Sequence, residues 1–469
     1  MWRLPQPFGR GTGQEIALAC LLPAGDTSWS PKTSARRTPT LFTAQQLFGE
    51  FDQGANVLTF GAFLDRACLE RDRERDATAR LALGGYLTCR LVGSMFTRDG
   101  SPESNEAFTW QLDAVRRHLR SLPQDTPESA HLYGIAQEVT TSPHRSPGLR
   151  LSLTAYAYFL EHEGRLEEAL EVLALATRTH AEAIPAADFA SAALFAARLN
   201  RLLARWPVAT SCYLAAEAAA DRARDRTMQL RARLGRGAVL RGMGNLPMAR
   251  AIGEEIAQAA ARANLPEMQA LAYTDLGAAY LVEGKKAEAV QANYRAFRLT
   301  QDPLQRVRIL GDIGVGMVEL GDYGSARVAF EIVLASGTSF LVRANAMLEL
   351  MEVESCVGSR IAFERCRSEA DGLRERMPPS MLADFHFKAG IGLARFGQTG
   401  RARALLTAGL QISETQRLNA WYFRFEKALA QLGAGELRAP EQATDSNWGS
   451  SPVLKEVAVG LREYASLSS

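Results

Sequence analysis

The chain has 469 residues, more than one hydrophobic core usually spans, so it holds either several domains or an array whose units pack only on their neighbours. Its 54 basic and 52 acidic residues leave a formal charge of +2, which argues against a chain built mainly to coat nucleic acid or an acidic membrane, although a local basic face stays open. Only six of the basic residues are lysine, and this arginine bias with abundant alanine points to a GC-rich bacterial genome rather than to a function.

Residues 1–40 carry Pro5, Pro7, Pro23, Pro31 and Pro39 among serines and threonines and read as an irregular arm. The apolar run from Ile16 to Leu22 follows Gln14 and Glu15, too short and too late for a good secretory signal, and a lipoprotein reading of Ala17–Cys20 ranks below it. No run approaches the ~20 apolar residues of a membrane helix. Gly9–Gly13 resembles half a phosphate loop but follows no strand and lacks the Lys-Ser/Thr ending. Helical signal then begins, with expected helices at 43–52, 57–74, 76–97, 104–121 and 127–140. The region 41–147 keeps no period and reads either as degenerate repeats or as an N-terminal cap. Residues 41–97 lack the tight turn before a polar recognition helix that a helix-turn-helix needs. The run Arg71–Asp76 mixes both signs and reads as a solvated helix end.

From 148 to 415 a repeat takes over. Ala169, Ala209, Ala249, Ala289, Ala326, Ala362 and Ala402 recur at spacings of 40, 40, 40, 37, 36 and 40. Twelve residues before them stand Ala157, Ala197, Gly237, Gly277, Gly314, Leu350 and Gly390, nearly all small. Five before stand Gly164, Ala204, Gly244, Gly284, Gly321, Val357 and Gly397, where a first helix ends. Bulky residues follow four later in Leu173, Tyr213, Phe330, Cys366 and Leu406, with Gly253 and Asn293 breaking the column. Small residues let two helices approach and large ones fill the gap to the next unit, so each repeat is a helical hairpin.

Beyond the repeats, Leu418, Trp421, Phe425, Leu429 and Leu432 place a capping helix at 416–433. A linker at 434–452 leads to an amphipathic helix at 453–469 with Leu454, Val457, Leu461 and Tyr464 on one side. That helix could dock on the last repeat, insert into the array's own groove, or wait for a partner. Cys20, Cys68, Cys89, Cys212, Cys356 and Cys366 form no CxxC pair, which suggests neither a zinc site nor a disulfide framework and points to a reducing cytoplasm. No Walker loop, HExxH or nucleophile elbow is present, and the six histidines lack ligand spacing. No catalytic residue, metal or cofactor is therefore expected.

The segments Leu276-Gly277-Ala278-Ala279-Tyr280 with Gly284 and Ala289, and Ile313-Gly314 with Gly321-Asp322-Tyr323 and Ala326, resemble tetratricopeptide repeats (TPR). The resemblance implies an all-α right-handed α-solenoid of seven hairpins. Its units of 36–40 residues are longer than the family's usual ~34, as in the sensor arrays of large bacterial regulators. It also implies a concave groove lined by first helices, at positions one and four after the small residue and three and six before it. Carried onto this chain, those positions hold Arg198, Arg201, Arg231 and Arg241 at one end. Leu271, Leu281, Val315, Val318, Met347, Met351, Phe387 and Ile391 follow along the rest. The lysine and asparagine clamp for a C-terminal carboxylate is absent. The expectation is a non-enzymatic cytoplasmic scaffold that binds a protein or peptide carrying an apolar stripe and some acid. A sensor of a peptide or small ligand, coupled to transcription, is the alternative.

Overall fold

The computed structural model describes residues 59–72, 75–96, 101–141, 146–179, 184–336, 340–374, 377, 379–415, 418–437 and 452–468. The expected arm at 1–40, the helix at 43–52, and most of the linker at 434–452 lie outside them, as do Gly9–Gly13 and Cys20. The described residues form twenty helices.

Four helices come first: α1 (Gly61–Asp72), α2 (Asp76–Ser94), α3 (Pro102–Arg120) and α4 (Pro127–Thr141). Seven pairs follow. They are α5 (Pro147–His162) with α6 (Leu166–Thr177), α7 (Ala186–Leu202) with α8 (Trp206–Arg222), α9 (Arg226–Gly242) with α10 (Leu246–Arg262), and α11 (Pro266–Val282) with α12 (Lys286–Leu299). The last three are α13 (Pro303–Leu320) with α14 (Tyr323–Ala335), α15 (Phe340–Cys356) with α16 (Arg360–Gly372), and α17 (Pro379–Arg395) with α18 (Thr399–Thr415). Two helices end the chain, α19 (Asn419–Ala434) and α20 (Pro452–Ser468). Each helix of the seven pairs packs on its partner and on the next pair, so the array is an all-α solenoid.

Local chemistry explains where the helices begin and turn. Ser101 and Ser146 accept hydrogen bonds from the Ser104 and Leu149 amides, and each is followed by a proline in the first helical turn, where a missing N–H loses nothing. Between the two helices of every pair one residue adopts a left-handed conformation: Gly164, Ala204, Gly244, Gly284, Gly321, Gly358 and Gly397, at φ between 57° and 84°. Only the second pair uses a residue with a Cβ there, Ala204 at φ 57°.

This column corrects the register of the sixth unit. Its turn residue is Gly358 rather than Val357, so the position of the recurring alanine falls on Phe363 rather than Ala362. Ala169, Ala209, Ala249, Ala289, Ala326 and Ala402 are buried, as is Phe363, whereas Ala362 is only half-buried. A shared Ala-rich composition hid the slip, because an alanine happens to precede the phenylalanine. The ring of Phe363 fits where Gly392 of α17 has no side chain, and the ring of Phe330 does the same against Gly314 of α13. The two apparent breaks in the bulky column are also filled. Leu276 reaches over Gly253, and the Asn293 side chain covers Gly277.

The first helices join the array through a buried polar knot. Arg165, just before α6, donates to Glu128 of α4 at 2.5 Å and to Glu168 of α6, and lies 5.6 Å from the centre of the Phe63 ring of α1. The Tyr156 hydroxyl donates to the same Glu128 carboxylate at 2.8 Å. Glu171 of α6 accepts the Ala62 amide at 3.3 Å, at the start of α1. Burial pushes the Glu168 and Glu171 carboxyls up to about 7 each, against the lowering pull of Arg165 and Arg66 on Glu168 and of the helix amides on Glu171. The outer end is closed by α19, which packs on α18 and α17 with Phe425, Ala428 and Leu432 buried. Helix α20 lies neither on the last repeat nor along the first helices. It crosses the outer helices α12 and α14, three and two units back from the last.

Two outcomes follow from these contacts. Ala289→Arg should lower stability by about 3–5 kcal/mol, through overpacking and a buried charge, while Ala362→Arg should stay within about 1 kcal/mol. Denaturant unfolding of both variants checks this, and equal losses would undo the corrected register. The raised pKa of Glu171 means the folded state holds its proton more tightly than the unfolded one. The stability it lends to α1 docking is therefore full below about pH 4.5 and is lost as pH rises through about 7. Protection factors of the α1 amides should fall about ten-fold between pH 6 and pH 8, and Glu171→Gln should flatten that slope while Glu168 keeps its own share.

Candidate functional site

The first helices of successive units line one face of the array, and several charged residues on it form cross-helix pairs. At the N-terminal end Arg198 (α7) is ion-paired with Glu161 (α5). Its guanidinium also covers the Tyr158 and Phe195 rings, at 5.7 and 5.1 Å from their centres, and those rings stack at 4.2 Å. Tyr158 remains 43% exposed and Leu151, two turns earlier on the same helix, 68% exposed. An apolar and aromatic step is therefore open to solvent at this end. Arg201 is half-buried and lies beside the Tyr213 hydroxyl, while Arg231 is exposed.

Arg241 (α9) reaches the next first helix and donates to the Asp275 carboxylate at 2.7 Å and to its carbonyl at 3.2 Å. Asp312 (α13) follows one unit on. Its Oδ2 is buried without a hydrogen-bond partner, and burial, reinforced by the neighbouring Asp275 charge, pushes its carboxyl up to about 7 against the pull of Arg241 and Arg308. Further along, Lys388 (α17) is fully buried between Glu349 of α15, at 2.9 Å, and Asp384 of its own helix, at 2.7 Å, with Glu352 at 3.9 Å. Asp384 Oδ1 has no hydrogen-bond partner. Arg395 donates to the Ser355 hydroxyl at 2.6 Å and the Cys356 thiol at 3.1 Å.

The four sequence-predicted arginines thus do not form one free basic end. Two are committed to carboxylates, and the guanidinium of Arg198 also lies over rings. The eight predicted apolar positions are also not an open trough. Val315, Met347 and Met351 are buried, and Leu271, Leu281, Val318, Phe387 and Ile391 are half-buried against the core. In the sixth unit the corrected register explains the difference. The inward positions are Glu352 and Ser355, and Met351 takes the small-residue position facing the second helix. Phe387 packs on Trp421 at 5.9 Å and Phe425 at 5.5 Å, and the Arg424 guanidinium lies 4.4 Å from the Phe387 ring centre, so α19 covers this end of the face.

Sequence reasoning missed the column two residues before the small residue, which holds Asp275, Asp312, Glu349 and Lys388. A signal was present, since the three acids recur at intervals of 37 residues. It is hidden because the inward positions carried over from the family, three and six before the small residue and one and four after it, skip the one two before, and because the sixth unit's register is shifted by one residue.

Among the described residues no helix is long and apolar enough to cross a membrane. No family model matches the chain, and no curated protein matches its sequence. Solved structures similar to it include a Rap protein complexed with competence and sporulation factor, 11% identical, covering 76% of this chain and 99% of its own, with a TM-score of 0.42. A Rap conjugation gene regulator of the plasmid pLS20, in complex with the Phr* peptide, is 12% identical and covers 72% of this chain and 97% of its own, with a TM-score of 0.46. PilF of Pseudomonas aeruginosa is 17% identical and covers 48% and 91%, with a TM-score of 0.33. Seven stacked hairpins, each turning on a left-handed residue, with large side chains seated over glycines between their helices, make this chain a TPR-like helical-repeat protein.

Proposed function

We propose that the chain is a non-enzymatic scaffold whose inner face binds an extended or helical peptide carrying basic and apolar side chains. The observation that carries this reading is the run of inward carboxylates from unit four to unit seven, in which Asp312 and Asp384 keep buried oxygens without a hydrogen-bond partner. A buried carboxylate oxygen left unpaired is costly, and a cationic group from a ligand relieves that cost while fixing register. Arg241 and Lys388 are already engaged by Asp275, Glu349 and Asp384, so an acidic ligand would have to displace existing pairs. The exposed Leu151 and Tyr158 at the N-terminal end offer an anchor for an apolar side chain of the same ligand. In this reading the sequence-level expectation of an acidic ligand gives way to a basic one, because Arg198 and Arg241, two of the four arginines that suggested it, are already paired with carboxylates.

The test uses a labelled dodecapeptide of alternating leucine and arginine and its glutamate counterpart, with binding to the full chain read by fluorescence anisotropy. The arginine peptide should bind more tightly, and Asp312→Asn should weaken it about ten-fold, the value of one partly buried charge pair. A ligand cation favours the ionised form of Asp312, so affinity should rise as pH increases from 6 to 8, through the group's value of about 7. Tighter binding of the glutamate peptide would overturn the assignment.

A further inference from the structure

Helix α20 sits where neither stacking nor end-capping requires it. The end of the array is already covered by α19, whereas α20 lies across the outer helices α12 and α14. Leu454, Val457 and Leu461 are at most 1% exposed and Ala458 is also buried, a two-turn apolar stripe laid on the array. Lys455, Glu456, Val459, Arg462 and Glu463 face solvent. The fit has shape as well as greasiness. A methyl group at Gly460 would come within 2.4 Å of the Tyr294 hydroxyl of α12, so a side chain there makes the Tyr294 ring give way. An ion pair between strap and array, Arg298 to Glu456 at 3.2 Å, has both side chains more than half exposed and adds little hold.

We propose that the surface formed by α12 and α14 is a recognition site for an amphipathic helix of a partner protein, and that α20 is a competing strap that covers it in the unbound chain. The chemistry of the partner is read from the strap itself. It presents leucine, valine and leucine at intervals of three and four residues, a glycine facing Tyr294, and an acid opposite Arg298. A glycine in the middle of a 17-residue helix weakens its intrinsic helicity, so α20 is held helical by the contact and released by its loss. The tether from α19 supplies an effective concentration on the order of millimolar. That keeps a helix of tens-of-micromolar affinity closed and weakens a competing helix by about ten- to a hundred-fold. The site lies on the outer helices and is independent of the inner face.

The probe is a fluorescein-labelled peptide of residues 452–468, titrated with the full-length chain and with full-length Leu454→Asp/Leu461→Asp, whose strap can no longer dock. The variant should bind the peptide at least ten-fold more tightly than the unmodified chain. A peptide carrying Gly460→Ala should bind that variant at least ten-fold more weakly than the native peptide. Full-length Gly460→Ala, a milder change to the strap, should shift the native peptide's affinity in the same direction as the double variant. Equal affinity for the unmodified chain and both strap variants overturns the proposal. So does absence of binding to a variant whose circular dichroism matches that of the unmodified chain.

Discussion

Much of this array depends on one steric arrangement, a residue with little or no side chain on one helix receiving a large side chain from another. Phe330 enters over Gly314, Phe363 over Gly392, Leu406 over Gly390 and Phe425 over Gly409. A Cβ at any of these glycines would come within 3 Å of its visitor, closer than real carbon contacts allow. The contact therefore fixes helix separation, and helix separation fixes which side chains are left pointing inward. A left-handed residue at each turn completes the constraint, because it brings the second helix back along the first at the same place in all seven units.

Much of this was legible from spacing alone, since small residues, turn glycines and alanines recur in columns and columns survive without an alignment. What failed was local. Ala362 stood where the period of 40 from Ala402 placed it, but helix α16 begins at Arg360, and measured from there Phe363 holds the equivalent place. A phenylalanine can substitute for a small residue only if the neighbour gives up its own side chain, and Gly392 does so. That compensation lies in the next unit, where a column read one unit at a time does not look. The N-terminal helices were legible as helices but not in their packing, since the buried knot that ties them to the array joins Glu128 of α4, outside the repeat, to Arg165 and Glu168 at the start of α6.

Charge was the least legible property because it is relational. An arginine at an inward position counts as basic only until a carboxylate from the adjoining first helix meets it, as Glu161 meets Arg198 and Asp275 meets Arg241. Such partners lie 34 to 37 residues away, about one repeat, so the pairing is itself a product of the period. Once those pairs are formed, Arg198 and Arg241 no longer set the character of the face, and Asp312, whose Oδ2 keeps no hydrogen-bond partner, gains weight in it.

The inner and outer faces of units four and five are two sides of the same packing. Asp275 and Asp312 each stand two residues before a glycine of the small-residue column, Gly277 and Gly314. Those glycines are covered from behind by Asn293 of α12 and Phe330 of α14, on the two helices that α20 crosses. At such close contact α12 cannot slide on α11, nor α14 on α13, without driving atoms into overlap, because a packed interior transmits displacement instead of absorbing it. The carboxylates in front and the helix-bearing surface behind therefore hold their relative positions as one body. Where they stand is decided by a few absent side chains rather than by any of the charged residues on either face.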